Sequence, residues 1–97
     1  MQVTYHPEAE TELIVAARFY EERVTGLGAQ FLDGVDAAIE IITESPEAHR
    51  PVEVDFRSHL MRRFPFVIYF RIHPEEIRIL AVKHHSRHPD YWRYRMS

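Results

Sequence analysis

The stretch Phe64-Pro65-Phe66-Val67-Ile68-Tyr69-Phe70-Arg71-Ile72-His73-Pro74-Glu75-Glu76-Ile77-Arg78-Ile79-Leu80-Ala81-Val82 decides the fold. Phe66, Ile68, Phe70 and Ile72 alternate with Val67, Tyr69 and Arg71, which is the period of a strand. His73 to Glu76 forms a tight connection, and residues 77–82 are continuously apolar enough for a buried strand. A short link between two strands predicts antiparallel pairing. Upstream, residues 54–64 read as a third strand whose register the pattern does not fix. With Phe66, Ile68, Phe70 and Ile72 packed on helices, the opposite face shows Tyr69 and Arg71. The register favoured for the preceding strand adds Arg57, His59 and Arg63 to them. Such a basic, aromatic-dotted open face suits a phosphate backbone or an acidic protein. Arginine stems lying over a solvated sheet account for the same residues equally well.

The first half has the helical period instead. Residues 2–6 alternate weakly and stop at Pro7, which reads as a short opening strand that joins the sheet. Pro7 then suits the first position of a helix whose first turns carry Glu8, Glu10 and Glu12. Leu13, Ala16, Ala17, Tyr20 and Val24 form its apolar stripe. Gly26-Leu27-Gly28 breaks the pattern, and Phe31, Val35, Ala38, Ile39 and Ile42 form a second stripe that ends before Pro46. Two amphipathic helices across a short break make an antiparallel hairpin. The expected fold is α+β: an N-terminal strand, a helix hairpin on one sheet face, and a three-stranded antiparallel meander. Ninety-seven residues make this one domain, 1–97.

Composition narrows the class. The chain has no cysteine, which excludes disulfides, thiolate zinc sites and cysteine nucleophiles. Its longest apolar run, residues 64–70, is far too short to span a membrane, and its start has no signal-peptide pattern, so a cytoplasmic location is expected. The net charge of −3 hides an uneven distribution. Residues 1–49 set two arginines against ten acids, whereas residues 50–97 set ten Lys/Arg against five. Six of the seven histidines lie from His49 onward. A split of this kind points to an anionic partner or to complementary faces within one fold.

The segment Val82-Lys83-His84-His85-Ser86-Arg87-His88-Pro89-Asp90-Tyr91-Trp92-Arg93-Tyr94-Arg95 concentrates basic, imidazole and aromatic groups. Pro89 is read as opening a final helical turn that bears Trp92. His84, His85 and His88 do not make a convincing metal site, because adjacent strand residues point to opposite faces and Asp90 is the only nearby acid. No metal and no cofactor is assigned. Glu8 to Glu12 and Glu21-Glu22 read as helix surface and dipole partners. Ile14, Val15, Phe19 and Ile41 lie off the main stripes, as wider core or as a partner groove.

Gly26-Leu27-Gly28 with Phe31, then residues 63–70, residues 79–82, His84, Arg87, Pro89 and Trp92 together resemble the RelE/ParE toxin superfamily, and most closely its ParE-like, plasmid-stabilisation branch. The resemblance runs from Tyr5 to Arg95. It implies the toxin of a type II toxin–antitoxin module, neutralised in a hetero-oligomer by a small antitoxin, with DNA contacted only through that antitoxin. ParE-like members inhibit DNA gyrase without being enzymes. RelE-like members cut mRNA on the ribosome without a metal, and an inactive or structural partner domain is a third class. Fold does not choose among these. For a binder, the candidate target-contacting residues are Arg63, Tyr69, Arg71, His84, Arg87 and Trp92. For a ribonuclease, the residues would be His84 (or His85) as base, Arg57, Arg63 and Arg87 as cations, and Tyr91 as stacking group or acid. The chain has one lysine, Lys83, and no carboxylate is expected beside these groups, which favours gyrase inhibition.

Overall fold

The computed structural model describes residues 1–53, 56–87 and 91–96. A strand β1 (Gln2–Tyr5) leads into helices α1 (Pro7–Arg23) and α2 (Leu27–Glu44). A short 3₁₀ turn (Pro46–Ala48) precedes strands β2 (Arg50–Glu53), β3 (Phe56–Leu60), β4 (Phe66–Ile72) and β5 (Glu76–His84), and a second 3₁₀ turn spans Arg93–Met96. The five strands form one sheet in the order β1-β5-β4-β3-β2. β1 runs parallel to β5, and the other pairs are antiparallel. The α+β reading, the helix hairpin and the meander therefore match the structure, with β2 as an additional edge strand.

Local chemistry explains the hairpin. His6 caps α1, its Nδ1 accepting the Glu8 N–H at 3.1 Å, with Pro7 at the first helical position. Val24 closes α1 as its exposed C-cap, outside the apolar stripe. Gly26 takes φ +90°, a backbone angle that a side chain would strain. α2 has no acid in its first turn and no side-chain cap of its own. Glu21 of α1 fills that role, its carboxylate accepting the N–H groups of Gly26 and Gly28 at 2.9–3.1 Å. Glu21 is thus a turn-holding residue and not simply helix surface. A Cβ on Gly28 would lie 2.6 Å from the Ala17 carbonyl oxygen, so this glycine lets the two helices close.

The main core lies between the hairpin and one sheet face. Phe31, Val35 and Ile42 of α2 meet Phe66, Ile68 and Phe70 of β4 and Ile77, Ile79 and Val82 of β5. Tyr20, Phe31, Phe64 and Phe66 form an aromatic knot with ring centroids 4.9–6.3 Å apart.

The opposite sheet face departs from expectation. β3 pairs Arg57 with Phe70, Ser58 with Tyr69 and His59 with Ile68. Directly paired residues share a face, so Arg57 and His59 lie on the helix side, in the other register from the one expected. Arg63 sits beyond β3 in the connection to β4. Phe56 takes its place beside Tyr69 on the far face, where Leu80, Ala81 and Trp92 complete a second small core. A β-bulge produces it: Tyr69 pairs with Ala81 but Phe70 with Ile79, so Leu80 is the extra residue. Two consecutive β5 side chains consequently point to one face. The open basic face expected from the sequence is an apolar floor roofed by the C-terminal segment.

Candidate functional site

Where β1 ends, β5 has a free edge, and α1 lies along it. His6 N–H bonds to the Ile79 carbonyl at 2.9 Å, and the next outward N–H of β5, from Val82, is accepted by the Glu12 carboxylate at 3.1 Å. The same carboxylate takes the Arg95 guanidinium at 2.8 Å and the phenol of Tyr91, and Arg87 stands 3.7 Å away. Glu8, one turn earlier, receives the Tyr94 hydroxyl and lies 3.5 Å from Arg95 Nε. Arg95 is almost fully buried and also donates to the Leu80 carbonyl at 3.2 Å. Burial works against its charge, but the hydrogen bonds to Glu12 and Tyr94 outweigh that and raise its pKa. The acidic helix and the basic tail are therefore complementary faces within one fold.

Above this latch a groove of about 680 Å³ opens between α1 and the end of β5. Val15, Phe19, Phe66 and Val82 line it, with His84 and Arg87 among the polar groups. Val15 is 59% and Phe19 48% exposed, so the α1 wall of the groove is apolar and open to solvent. Arg23 stacks over Phe19, 4.0 Å from the ring centroid.

The structure brings some of the expected residues together and separates others. His84 shares the helix-side face with Phe66, whose ring it meets edge-on at 5.3 Å. Its Nδ1 accepts the Ser86 N–H at 3.2 Å and lies 2.7 Å from the Ser86 hydroxyl oxygen, which sets the ring's orientation. Its ring stacks on that of His85, 5.1 Å away. Arg87 is 58% exposed and rests over Tyr91 at 4.0 Å. Tyr91 is not placed as an acid: burial first, then the Glu12 hydrogen bond, pushes its phenol well above the ordinary range. Arg57 donates to the carbonyls of Glu47 (3.1 Å) and His49 (2.8 Å). Its β4 partner is Phe70, whereas that of His84 is Phe66, about 13 Å apart along the strand at the usual rise per residue.

Arg63 is exposed in the β3–β4 connection, on the other flank of the helix pair from the groove. Tyr69 and Arg71 lie half-buried on the tail side of the sheet. Trp92 is a core residue, 1% exposed, stacked on Tyr69 at 4.6 Å and edge-on to Phe56 at 4.7 Å. It pins the tail and presents no surface to a target, which removes it from direct contact. His88, Pro89 and Asp90 lie outside the described residues, so the turn expected at Pro89 and the histidine trio are not described. Among the described residues no three His, Asp or Glu side chains converge on a metal position.

Two groups escaped the sequence reading. The first is the carboxylate beside the site, which was not expected: Glu12 stands with His84 and Arg87 along one groove. Its signal was the spacing of Glu8, Glu12, Val15 and Phe19, one helical face that runs from acidic to apolar. The second is the imidazole pair on the far flank. His49 Nδ1 lies 3.0 Å from the Ser45 carbonyl, which can only accept, so that nitrogen carries the proton. With both rings neutral, His49 Nε2 accepts from His59 Nδ1 at 3.1 Å.

Burial first, then His49 and Arg62, lowers the His59 pKa. The unfolded chain then binds the proton more tightly, so stability is lost as pH falls through 6.5, the ordinary value, towards the depressed folded one. Urea midpoints measured between neutral and mildly acidic pH should fall for the parent and fall less for His59→Asn. Equal slopes would remove the pair from the account.

A family model described as ParE toxin of type II toxin-antitoxin system, parDE, matches residues 3–89. Among solved structures, a chain of the chromosomal ParDE TA system from P. aeruginosa is 26% identical, with a TM-score of 0.63. The alignment covers 87% of this chain and 95% of that one. No curated protein matches.

Proposed function

This chain belongs to the ParE toxin family of type II toxin–antitoxin systems, and from that premise we propose that it inhibits DNA gyrase by binding, without catalysis, and is neutralised by a protein antitoxin. The supporting observation is that the parts of a metal-free ribonuclease are present but not assembled. Such cleavage needs a base, a cation on the phosphate and an acid within reach of one scissile bond. His84 and Arg87 share the groove, but the Tyr91 phenol is committed to Glu12. Arg57 is held on backbone carbonyls farther along the sheet. Glu12 itself is engaged by Val82, Arg95 and Tyr91, which leaves it unsuited to act as a base.

The antitoxin reading is supported by the ParDE title of the similar structure and by the exposed apolar wall of the groove. An antitoxin segment that folds on binding lays an amphipathic helix along Val15 and Phe19, excluding water from Phe66 and Val82. Operator DNA is met through the antitoxin, and the complex acts in the cytoplasm. No helix among the described residues is long and apolar enough to cross a membrane.

The deciding experiment sets purified toxin against two targets. Loss of gyrase supercoiling at toxin concentrations that leave ribosome-bound mRNA intact is the expected result. Cleavage of translated mRNA with gyrase unaffected would falsify the proposal in favour of the RelE-like alternative. Growth without arrest on expression would place the chain with inactive partner domains.

A further inference from the structure

Five of the cations are engaged within the fold. Arg57 and Arg78 bind backbone carbonyls, and Arg87 and Arg95 face Glu12. Lys83 is buried, with its Nζ on the His85 carbonyl. Arg62 and Arg63 differ. Both are exposed in the β3–β4 connection, and neither makes a hydrogen bond or ion pair with any described residue. They border a recess of about 340 Å³ between α2 and that connection. Ala37, Ile41, Met61 and Phe64 give it apolar walls, and Asp33 is the only carboxylate among its lining residues. Ile41 is 42% exposed there, on a helix whose remaining surface carries no basic residue.

We propose that this recess is a second docking surface, which takes an acidic segment of the antitoxin anchored by an aliphatic side chain. The inference rests on the reading above that an antitoxin restrains this chain. The observations that favour this occupant are two guanidiniums without an ion-pair partner among the described residues, an apolar slot between them and α2, and a position across the helix pair from the α1 groove. Guanidinium forks match carboxylates in a way that hydrated surface charges do not. One disordered polypeptide that reaches over the hairpin would occupy groove and recess at once. Its second contact is then intramolecular, so loss of either site lowers affinity by more than the local contacts alone.

The test titrates a candidate antitoxin, taken from the gene that neighbours this one, into the intact toxin and two variants. Arg62→Glu/Arg63→Glu is expected to weaken binding on the order of 100-fold, the scale of a lost second site. Parent affinity should fall with added salt more steeply than that of the variant. Phe19→Glu, in the α1 groove, reports on the first site independently. If Phe19→Glu weakens binding while the arginine variant binds like the parent, the second surface is refuted and the antitoxin reading stands. If the parent does not bind the antitoxin, both fail. If the arginine variant loses toxicity but keeps full antitoxin affinity, the recess belongs to the target and the proposal is overturned.

Discussion

Glu12→Ala is expected to lower stability to urea by roughly 3 kcal/mol, as when one partner of a buried ion pair is removed. Glu12 and Arg95 are both largely shielded, with side chains 11% and 5% exposed, so solvent screening does not erase the effect. Truncation leaves three donors without their acceptor: the Val82 N–H, the Tyr91 phenol and the Arg95 guanidinium. The buried guanidinium, left with the Leu80 carbonyl and the more distant Glu8, is the costliest of these. The chain has a single tryptophan, so its fluorescence reports tail docking directly. A loss of that signal at lower urea than the far-ultraviolet helix signal would show the tail leaving first. The variant Glu12→Met/Arg95→Met should recover part of the loss, because it removes the undercompensated buried charge while the Val82 N–H and the Tyr91 phenol still lack the Glu12 carboxylate. An unchanged midpoint in Glu12→Ala would mean that the latch contributes nothing to stability.

Trp92→Ala carries an effect of similar size, roughly 3–5 kcal/mol for a buried aromatic cut to alanine. The ring fills the second core between Phe56, Tyr69, Leu80 and Ala81. Trp92→Phe keeps the stacking and much of the volume, and should retain both folding and toxicity. If Trp92→Phe folds as the parent does yet loses toxicity, the indole touches the target and its burial is not the relevant state. Thermal unfolding of both variants beside growth arrest separates packing from contact.

The alternation of residues 66–72 made β4 and its helix-packed face legible without coordinates, because a seven-residue period-two pattern has few other solutions. Strand β2 was not legible. Arg50-Pro51-Val52-Glu53 is short and carries a proline, and only distant pairing with β3 makes it a strand. The register of β3 was misread for a different reason. Phe56-Arg57-Ser58-His59-Leu60 alternates cleanly, but choosing its inward face required knowing that the sheet has two covered faces. That second cover comes from a bulge at Leu80 and from a tail some thirty residues on, neither of which marks the local pattern. The site divides along the same line. His84 and Arg87 stood out by composition, whereas Glu12 gained its importance only when the fold set α1 beside β5.

The latch also dictates when the protein can exist in working form. Glu8 and Glu12 come from the first turns of the chain, while Val82, Tyr91 and Arg95 come from its last fifth. β1 likewise waits for β5, since Gln2 pairs with Glu76. A ribosome that has made the helix hairpin and half the sheet has therefore made neither wall-to-wall groove nor docked tail, and contacts this distant in sequence form late. Until Tyr91 and Arg95 have emerged and docked on Glu12, neither the latch nor the closed groove exists, so the working surface is the last part of this domain to take shape.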